Sequence, residues 1–431
     1  MNVAAAHAIT ERTEPMRPVD AMWHWLSTKF ATDQFLVYAF AGRPDSIDQA
    51  VDGVMRRARE CPDFGLRIER QNLNLRFPEW ICGAVDPAEH VVTGRLDGLG
   101  WPEFLAELAR MMDRQLDPTR STWRLHVFGD VGDVPGAVGS STVVVLQISH
   151  ALGDGTRTAA LAGWLFGRAT GPAPIEASGT GGRMRRIVDD LRARQQLSRE
   201  TASGLVPPDR PPVPALSINR QPSGTVLLRT IACRPDDLPG PTMMVGALVA
   251  VSTALSEHLR QDGEDVSRLT ADVAIAKPGK PNARNHFDTY RIGLYPDIAS
   301  QDERARRIVA DLMDIRRRSS HPAFAAAASG FDAIPAPLRR LGVWRLRADL
   351  DASEVGANTV VSSVDRGAAD LCFGGCPVVL TASYPSLMPM MGLTHGVHRI
   401  GDTVAVSVRT TRSIMSDVDG YLDRLGHALR G

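Results

Sequence analysis

The sequence predicts an α/β protein built as two lobes. Its 431 residues are enough for two domains of medium size. Segments with strand and helix patterns alternate on both sides of a stretch rich in proline and serine, residues 203–224, which we interpret as a linker. Mixed elements in both halves are typical of two α/β units. We expect an N-terminal lobe over residues 1–170, a linker and crossover segment over 171–224, and a C-terminal lobe over 225–431.

Hydrophobic periodicity locates the elements of the first half. Ser46 is a suitable N-cap for a helix that ends near Glu60, and Pro62 follows that end. Apolar side chains recur at helical spacing over residues 101–116, which predicts a second, strongly amphipathic helix. The remaining predictions are a loose tail at 1–15, short strands at 66–69 and 73–77, a strand at 123–128, a loop at 129–140, and a strand that leads to His150 before a helix of small residues.

The second half repeats this alternation after a loop that follows Gly167. Helices are predicted at 183–200, 242–261, 302–318 and 417–429. Strands are predicted at 225–233, 270–276, 287–294, 358–363, 378–383, 392–398 and 402–409.

Composition excludes several classes of protein. The formal net charge is zero, so the chain lacks the excess of basic residues that nucleic acids or acidic membranes attract. No window of eighteen apolar residues predicts a transmembrane helix, and the N-terminus lacks the pattern of a signal peptide. We expect a cytoplasmic protein and leave peripheral membrane association open.

The cysteines indicate free thiols in a reducing compartment. There are five of them, an odd number without regular spacing: Cys61, Cys82, Cys233, Cys372 and Cys376. Cys372 and Cys376 could be combined with His395 and His398 as zinc ligands, but their spacing is irregular for zinc, and residues 377–383 have the pattern of a strand. We therefore expect no metal site.

The segment most informative about function is VVVLQISHALGDGTRTAALAGWLF, residues 143–166. It runs from an apolar, β-branched strand to His150, with Asp154 and Gly155 at fixed offsets. A neutral histidine at the end of a buried strand can act as a base at the edge of a cavity, and this H-x-x-x-D-G pattern is that of acyl transfer. Asp154 would orient the loop. Gly153 and Gly155 would permit a tight bend and the close approach of a ligand. The alternative is a buried histidine that is satisfied by hydrogen bonds and precedes an ordinary turn.

Four regions resemble the wax ester synthase/diacylglycerol acyltransferase family, within the condensation-domain-like, CoA-dependent acyltransferases. They are MRPVDAMWHWL at 16–26, DSIDQAVDGVMRRARECPDFGLRIE at 45–69, the block at 101–128 and the motif SHALGDG. ARNHFDTYRIGLYP and NTVVSSV in the second half are similar to later segments of the family. The Asn-Asp pair that the family carries at the start of the 242–261 helix is absent here.

The resemblance implies two chloramphenicol-acetyltransferase-like lobes that meet along a tunnel. It implies that His150 is catalytic and that Asp154 is structural, paired with an arginine for which Arg67 and Arg124 are both candidates. Ser149 stands where the family has a preceding histidine. Substrate-binding positions are expected at Ser149, Gly153, Gly155 and Asn285.

The expected function is transfer of an acyl group from an acyl-CoA or acyl-carrier-protein thioester to a hydroxyl, with His150 as general base. The thioester is a co-substrate, and no other cofactor is expected. Ser149 and His150 should point to opposite faces of the strand, which argues against a Ser-His dyad. The open alternatives are an amide-forming, condensation-type enzyme and a non-catalytic protein that binds an acyl group or a carrier protein.

Overall fold

Two six-stranded sheets form the centre of the molecule. We describe it from a computed structural model that covers residues 13–70, 75–94, 98–176, 182–346 and 352–430. Over these ranges the helices are α1 (Pro18–Ser27), α2 (Ile47–Glu60), α3 (Pro87–His90), α4 (Trp101–Met112), α5 (Gly155–Leu165), α6 (Arg183–Ala202), α7 (Met243–Gln261), α8 (Gln301–Ser319), α9 (Pro322–Ala333), α10 (Ala336–Trp344) and α11 (Val418–Leu429).

The strands in the same ranges alternate with these helices. They are β1 (Thr13–Pro15), β2 (Gln34–Ala41), β3 (Leu66–Ile68), β4 (Glu79–Cys82), β5 (Val91–Thr93), β6 (Trp123–Val131), β7 (Ser141–Ile148), β8 (Val213–Pro214), β9 (Val226–Cys233), β10 (Thr270–Ala276), β11 (Phe287–Gly293), β12 (Glu354–Val355), β13 (Thr359–Asp365), β14 (Cys372–Phe373), β15 (Cys376–Ser383), β16 (Thr394–Ile400) and β17 (Thr403–Thr411).

The N-terminal sheet has the order β14-β15-β2-β7-β6-β5. Its central strand β7 is buried along its whole length, which explains its β-branched sequence. Side chains of β2 alternate between two cores: Leu36, Tyr38 and Phe40 pack with α2 and α5, while Phe35 and Val37 pack with α4. The sheet is therefore covered on both faces, and β7 leaves it at the middle of the molecule.

The C-terminal sheet has the order β11-β10-β13-β16-β17-β9. Helices α7 and α11 pack together over it, and α7 is buried along most of its length because most of its side chains are apolar or small. Strands β10, β13 and β16 run parallel, and the other pairs in the sheet are antiparallel. Strand β13 also contacts α5 of the N-terminal lobe, so the two lobes meet beside the H-x-x-x-D-G motif that begins at His150.

The lobes do not follow the predicted boundaries along the chain. Strands β14 and β15, within the predicted C-terminal lobe 225–431, belong to the N-terminal sheet, where β15 pairs with β2. In the predicted linker, α6 packs on α9, and β8 pairs with β12. The predicted C-terminal lobe 225–431 is therefore wrong in including β14 and β15. Their pairing with the N-terminal sheet is a long-range contact, which the local sequence pattern does not encode.

Most predicted elements are confirmed within a few residues. The helix capped by Ser46 is α2, and the 101–116 helix is α4, which ends at Met112. The predicted strand at 73–77 falls partly outside the described residues, and residues 75–77 do not form a strand. The predicted tail 1–15 is largely outside them too, but its end forms β1. Helix α1 and strand β2, which were not predicted as elements, both contribute to the site described below.

Candidate active site between the two lobes

His150 lies where β7 leaves the N-terminal sheet. The strand ends at Ile148, and residues His150–Leu152 form a single 3-10 turn before Asp154 caps α5. The histidine is thus in a turn and not on the strand as the sequence predicted. Gly153 and Gly155 do not adopt a left-handed backbone conformation, so the expected role in a tight bend is wrong. The turn itself, His150–Leu152, contains no glycine.

Both glycines are required for close packing instead. A Cβ atom at Gly155 would lie 3.0 Å from Cγ2 of Val364 on β13, in the opposite lobe. A Cβ atom at Gly153 would lie 3.0 Å from the side chain of Arg157. The contact between Gly155 and Val364 brings the start of α5 against the C-terminal sheet. Glycine at 155 therefore sets how closely the two lobes approach at the site.

Asn285 holds the imidazole of His150. Its Oδ1 is 3.0 Å from Nδ1 of His150. Its Nδ2 donates to the carbonyl oxygen of His150 and to Oδ1 of Asp20, at 2.9 Å each. Because both of those partners can only accept, the amide orientation is determined and Oδ1 must accept from His150. Nδ1 of His150 therefore carries the proton, and Nε2 carries the lone pair.

Asp20 on α1 completes this support. It is buried, and it accepts from the backbone N–H groups of Arg284 and Asn285 as well as from the Asn285 amide. Burial raises the pKa of Asp20 to about 6, against the opposing effect of the hydrogen bond from Asn285. We expected Asn285 to bind substrate, but it lies buried behind His150 and positions the ring. The sequence did not point to Asp20, because no motif or spacing relates residue 20 to residue 285.

Two aromatic rings enclose the imidazole. The ring of Trp23 is stacked on that of His150 with centroids 3.7 Å apart and planes 3° from parallel. The ring of Phe287 lies 6.2 Å away at 30°. Burial among these groups lowers the pKa of His150, so the neutral form predominates near neutral pH. A neutral imidazole with a free Nε2 is the form that can accept a proton.

Asp154 ties the motif to the C-terminal lobe through backbone groups. Its Oδ1 accepts from the N–H of Arg157 at 2.9 Å, as the N-cap of α5, and its Oδ2 accepts from the N–H of His286 at 2.7 Å. Within the described ranges it forms no ion pair with an arginine. Arg67 lies against Gly83, and Arg124 donates to the carbonyl of Glu89, so neither candidate partner is correct.

The buried arginines near the motif pair with Asp63 instead. Arg157 and Arg284 both donate to its carboxylate, Arg284 at 2.8 Å, and all three side chains are buried. Burial alone would raise the pKa of Asp63, but the guanidinium groups of Arg284 and Arg157 hold it below its ordinary value. Arg157 comes from α5 and Arg284 from the loop before β11, so Asp63 joins the two lobes next to the motif.

A cavity of about 440 Å³ opens at His150 between the lobes. Its walls come from α1, β2 and α5 of one lobe and from β10, β11, β13 and β16 of the other, with part of the β15 region. Asp154 and Gly155 line it, whereas the expected substrate-binding residues Ser149, Gly153 and Asn285 do not. A larger cavity of about 720 Å³ lies near Asp63, but His150 does not line it. We therefore take the smaller cavity at His150 as the candidate active site.

The residues considered for zinc lie in different sheets. Cys372 and Cys376 are in the β14–β15 hairpin of the N-terminal sheet, while His395 and His398 are on β16 of the other. Across the described part of the chain, no group of three or more histidine, cysteine, aspartate or glutamate side chains could hold a metal ion. In the same part, no helix is long and apolar enough to cross a bilayer.

Comparison with known structures establishes the fold. The chain is similar to the wax ester synthase/diacylglycerol acyltransferase of Marinobacter aquaeolei VT8, with a TM-score of 0.61, 16% identity, and coverage of 96% of this chain and 98% of that chain. It is similar to the trichothecene 15-O-acetyltransferase of Fusarium sporotrichioides, with a TM-score of 0.60, 12% identity and coverage of 97% and 94%. The first condensation domain of the calcium-dependent antibiotic synthetase matches with a TM-score of 0.57, 12% identity and 97% coverage of both chains.

The family comparison agrees with this fold. No curated protein matches the chain by sequence. The family model of the wax ester synthase/diacylglycerol acyltransferase catalytic domain matches residues 16–212, which include α1, the His150 motif and Asp63. The expectation of two chloramphenicol-acetyltransferase-like lobes is confirmed. Residues 16–212 are therefore similar to the catalytic domain of the wax ester synthase/diacylglycerol acyltransferase family, a family of acyltransferases, and the whole chain shares the fold of the Marinobacter enzyme.

Proposed function

We propose that the protein transfers an acyl group from a thioester to a hydroxyl group, with Nε2 of His150 as the general base. The observation that carries this proposal is the hydrogen-bonded state of the ring. Asn285 accepts the proton of Nδ1, so the basic nitrogen is Nε2, and the histidine lines the cavity between the lobes. In the described residues no protein group is hydrogen-bonded to Nε2. A base with one orientation and no competing partner suits proton removal from a bound acceptor.

The reaction needs no covalent enzyme intermediate. Nε2 accepts the hydroxyl proton while the acceptor oxygen attacks the thioester carbonyl carbon. The resulting tetrahedral intermediate collapses, the carbon–sulfur bond breaks, and the imidazolium returns its proton to the departing thiolate. The products are an ester and a thiol, and His150 ends in its starting form.

The oxyanion of the intermediate requires hydrogen-bond donors close to His150. Hydroxyl groups of the opposite lobe line the cavity there. Ser362 lies two residues from Val364 on β13, so both side chains are on the same face of the sheet, and Val364 is the residue against which Gly155 packs. We infer that Ser362 is a donor to the oxyanion, acting from the lobe that faces the base.

The donor is expected to be an acyl-CoA or an acyl group on a carrier protein. A condensation domain of the same fold, the starter domain of rhizomide synthetase, has been solved with C8-CoA; it matches with a TM-score of 0.55 at 11% identity. This supports an acyl-thioester of medium length as the first donor to test. The acceptor is expected to be a hydroxyl, with an amine as the competing possibility.

A thiol-release assay tests the proposal. Octanoyl-CoA is supplied with octan-1-ol or with octylamine, free CoA is detected with a thiol reagent, and the product is identified by mass spectrometry. We expect acceptor-dependent release with the alcohol and a loss of about a hundredfold or more in His150→Ala. Ser149→Ala is the matched control, because Ser149 does not line the cavity, and it should retain most activity.

Four results would contradict the proposal. If His150→Ala were nearly as active as the parent, His150 would not be the general base. An acyl group trapped on Ser149 would replace direct transfer by a two-step covalent route. Amide formation without ester formation would favour the condensation-type alternative, while binding of the thioester without any release of thiol would favour a non-catalytic protein.

A further inference from the structure

The wall of the cavity contains a buried arginine that pairs with no carboxylate of the described residues. Arg366 follows β13 and is 4% exposed, and it lines the cavity that contains His150. Its Nη1 donates to the hydroxyl of Thr381, and its guanidinium lies 5.1 Å from the centre of the Tyr38 ring. Its Nε is buried without a hydrogen-bond partner. Across the described residues it takes part in no ion pair.

The carboxylates that share this cavity are engaged elsewhere. Asp33 accepts from the N–H of Leu116 and from the amide of Gln147. Both oxygens of Asp154 accept backbone N–H groups. Asp272 is on β10, next to β13 in the same sheet, and lies opposite Arg291 in the β10–β11 register; burial raises its pKa to about 6, and the charge of Arg291 opposes that effect. The positive charge of Arg366 is therefore not neutralised by any of the acidic side chains around the cavity.

Among the described residues, a second polar group without a hydrogen-bond partner lies beside the arginine. His398 on β16 is 3% exposed, lines the same cavity, and has a buried Nδ1 without a partner. Val364 is in register with His398 across the β13–β16 pair, and the backbone N–H of Arg366 donates to the carbonyl of Arg399. The adjacent ends of β13 and β16 thus bring a guanidinium and an imidazole to one region of the cavity.

We propose that Arg366, with His398 beside it, binds a carboxylate carried by one of the two substrates. A buried guanidinium without a counter-ion is unfavourable, and an arriving carboxylate removes that cost while forming a charge-assisted hydrogen bond. One guanidinium compensates one negative charge. His398 adds a donor without adding charge, because burial and the neighbouring Arg366 lower its pKa well below the ordinary value. A carboxylate fits this pair better than a doubly charged phosphate does.

This inference rests on the proposed acyl transfer only in treating the cavity as the substrate cavity. The carboxylate could be on the acceptor, as in a hydroxy acid, or at the far end of a dicarboxylic acyl group on the donor. Both sources present the same chemistry to Arg366. Matched pairs of ligands that differ only in that terminal group distinguish them.

Calorimetry without turnover tests the inference. The acceptor pair is 8-hydroxyoctanoate and octane-1,8-diol, and the donor pair is suberoyl- and octanoyl-pantetheine. In the parent protein we expect the carboxylate member of one pair to bind at least fivefold more tightly than its neutral counterpart. Arg366→Met and Arg366→Gln should both lose that preference, whereas Arg366→Lys should keep part of it. Arg399→Met is the matched control, since Arg399 is on the next strand and partly exposed, and it should behave as the parent.

The pair that shows the preference identifies the substrate that carries the carboxylate. A parent preference below fivefold in both pairs would overturn the inference, and so would a preference that survives in the Met and Gln variants. Arg366→Gln keeps a donor for Thr381 in case the Met variant does not fold. The Tm of Arg366→Met should equal or exceed that of the parent. His150→Ala should retain the binding preference, so failure of the proposed catalytic role is separable from failure of this one.

Discussion

Asn285 forms two hydrogen bonds with His150, one to the ring and one to the backbone. Its Oδ1 accepts from Nδ1, while its Nδ2 donates to the carbonyl oxygen of the same residue. The two bonds determine both the tautomer and the position of the turn that carries the ring. Because Asn285 belongs to the C-terminal half of the chain and His150 to the N-terminal half, the proposed base is oriented only when the two lobes are together.

The environment of His150 predicts an unusual pH dependence. Burial lowers the pKa of its imidazole, and the neutral form is the proposed base. The kcat/KM should therefore remain level from about pH 8 to about 6.5 and decline only on further acidification. The measurement is a pH profile of thiol release with a slow substrate, so that chemistry limits the rate. An acidic limb above the ordinary pKa of histidine would contradict this assignment.

Replacing Asn285 should disturb the orientation and tautomer of the His150 ring without changing the residues that line the cavity. In Asn285→Ala the ring loses its tautomer selection and its anchor, so kcat should fall about tenfold or more while KM changes little. Steady-state kinetics separate the two constants. Asn282→Ala is the control, because Asn282 is exposed and is hydrogen-bonded to the ring of His286, not to His150. Equal losses in the two variants would mean that Asn285 acts only through the loop.

The contacts of Asp154 predict a moderate effect on stability. In Asp154→Asn one of the two backbone N–H groups, that of Arg157 or of His286, faces an amide donor and loses its acceptor, which costs about 1–3 kcal/mol. The free energy of unfolding should fall by that amount, and activity should fall with it. Ser46→Ala removes an equivalent N-cap, that of α2, and should cost about 1 kcal/mol without loss of activity. A loss of about 3–5 kcal/mol in Asp154→Asn would indicate a buried ion pair that the structure does not contain.

Asp63 should be the more critical carboxylate for stability. Asp63→Asn leaves the buried guanidinium groups of Arg157 and Arg284 without a counter-charge, and we expect a loss of about 3–5 kcal/mol by chemical denaturation. Because the folded pKa of Asp63 is held below its ordinary value, this stabilisation is present above about pH 4 and disappears as the pH falls through the folded pKa. The difference in the free energy of unfolding between the parent and Asp63→Asn should therefore become smaller at acidic pH.

An exposed ion pair provides the comparison. Asp370 pairs with Arg168 at 2.8 Å, but its side chain is 52% exposed. Asp370→Asn should therefore cost no more than about 1 kcal/mol. Similar losses in the two variants would show that burial of the Asp63 cluster contributes nothing.

The fold class, most of the elements and the motif around His150 can be predicted from the amino-acid sequence. Short stretches of sequence encode these features. Strand β7 is rich in β-branched residues because it is buried, and Ser46 begins a helix because its side chain accepts a backbone N–H. The order of motifs around His150 resembles that of the wax ester synthase/diacylglycerol acyltransferase family. Asp154 could be assigned a structural role from its position after the turn. Its true partners, two backbone N–H groups, could not be identified, and neither Arg67 nor Arg124 is among them.

Which residues act together, in contrast, depends on contacts between segments that are distant in the chain. Trp23 and Asn285 contact His150 from segments more than a hundred residues away, and Asp20 supports Asn285 from a similar distance; no spacing rule relates these residues. The exchange of β15 into the N-terminal sheet and the unpaired Arg366 in the cavity wall arise in the same way. Periodicity reports which face of an element is buried, whereas hydrogen-bond partners depend on where the chain returns.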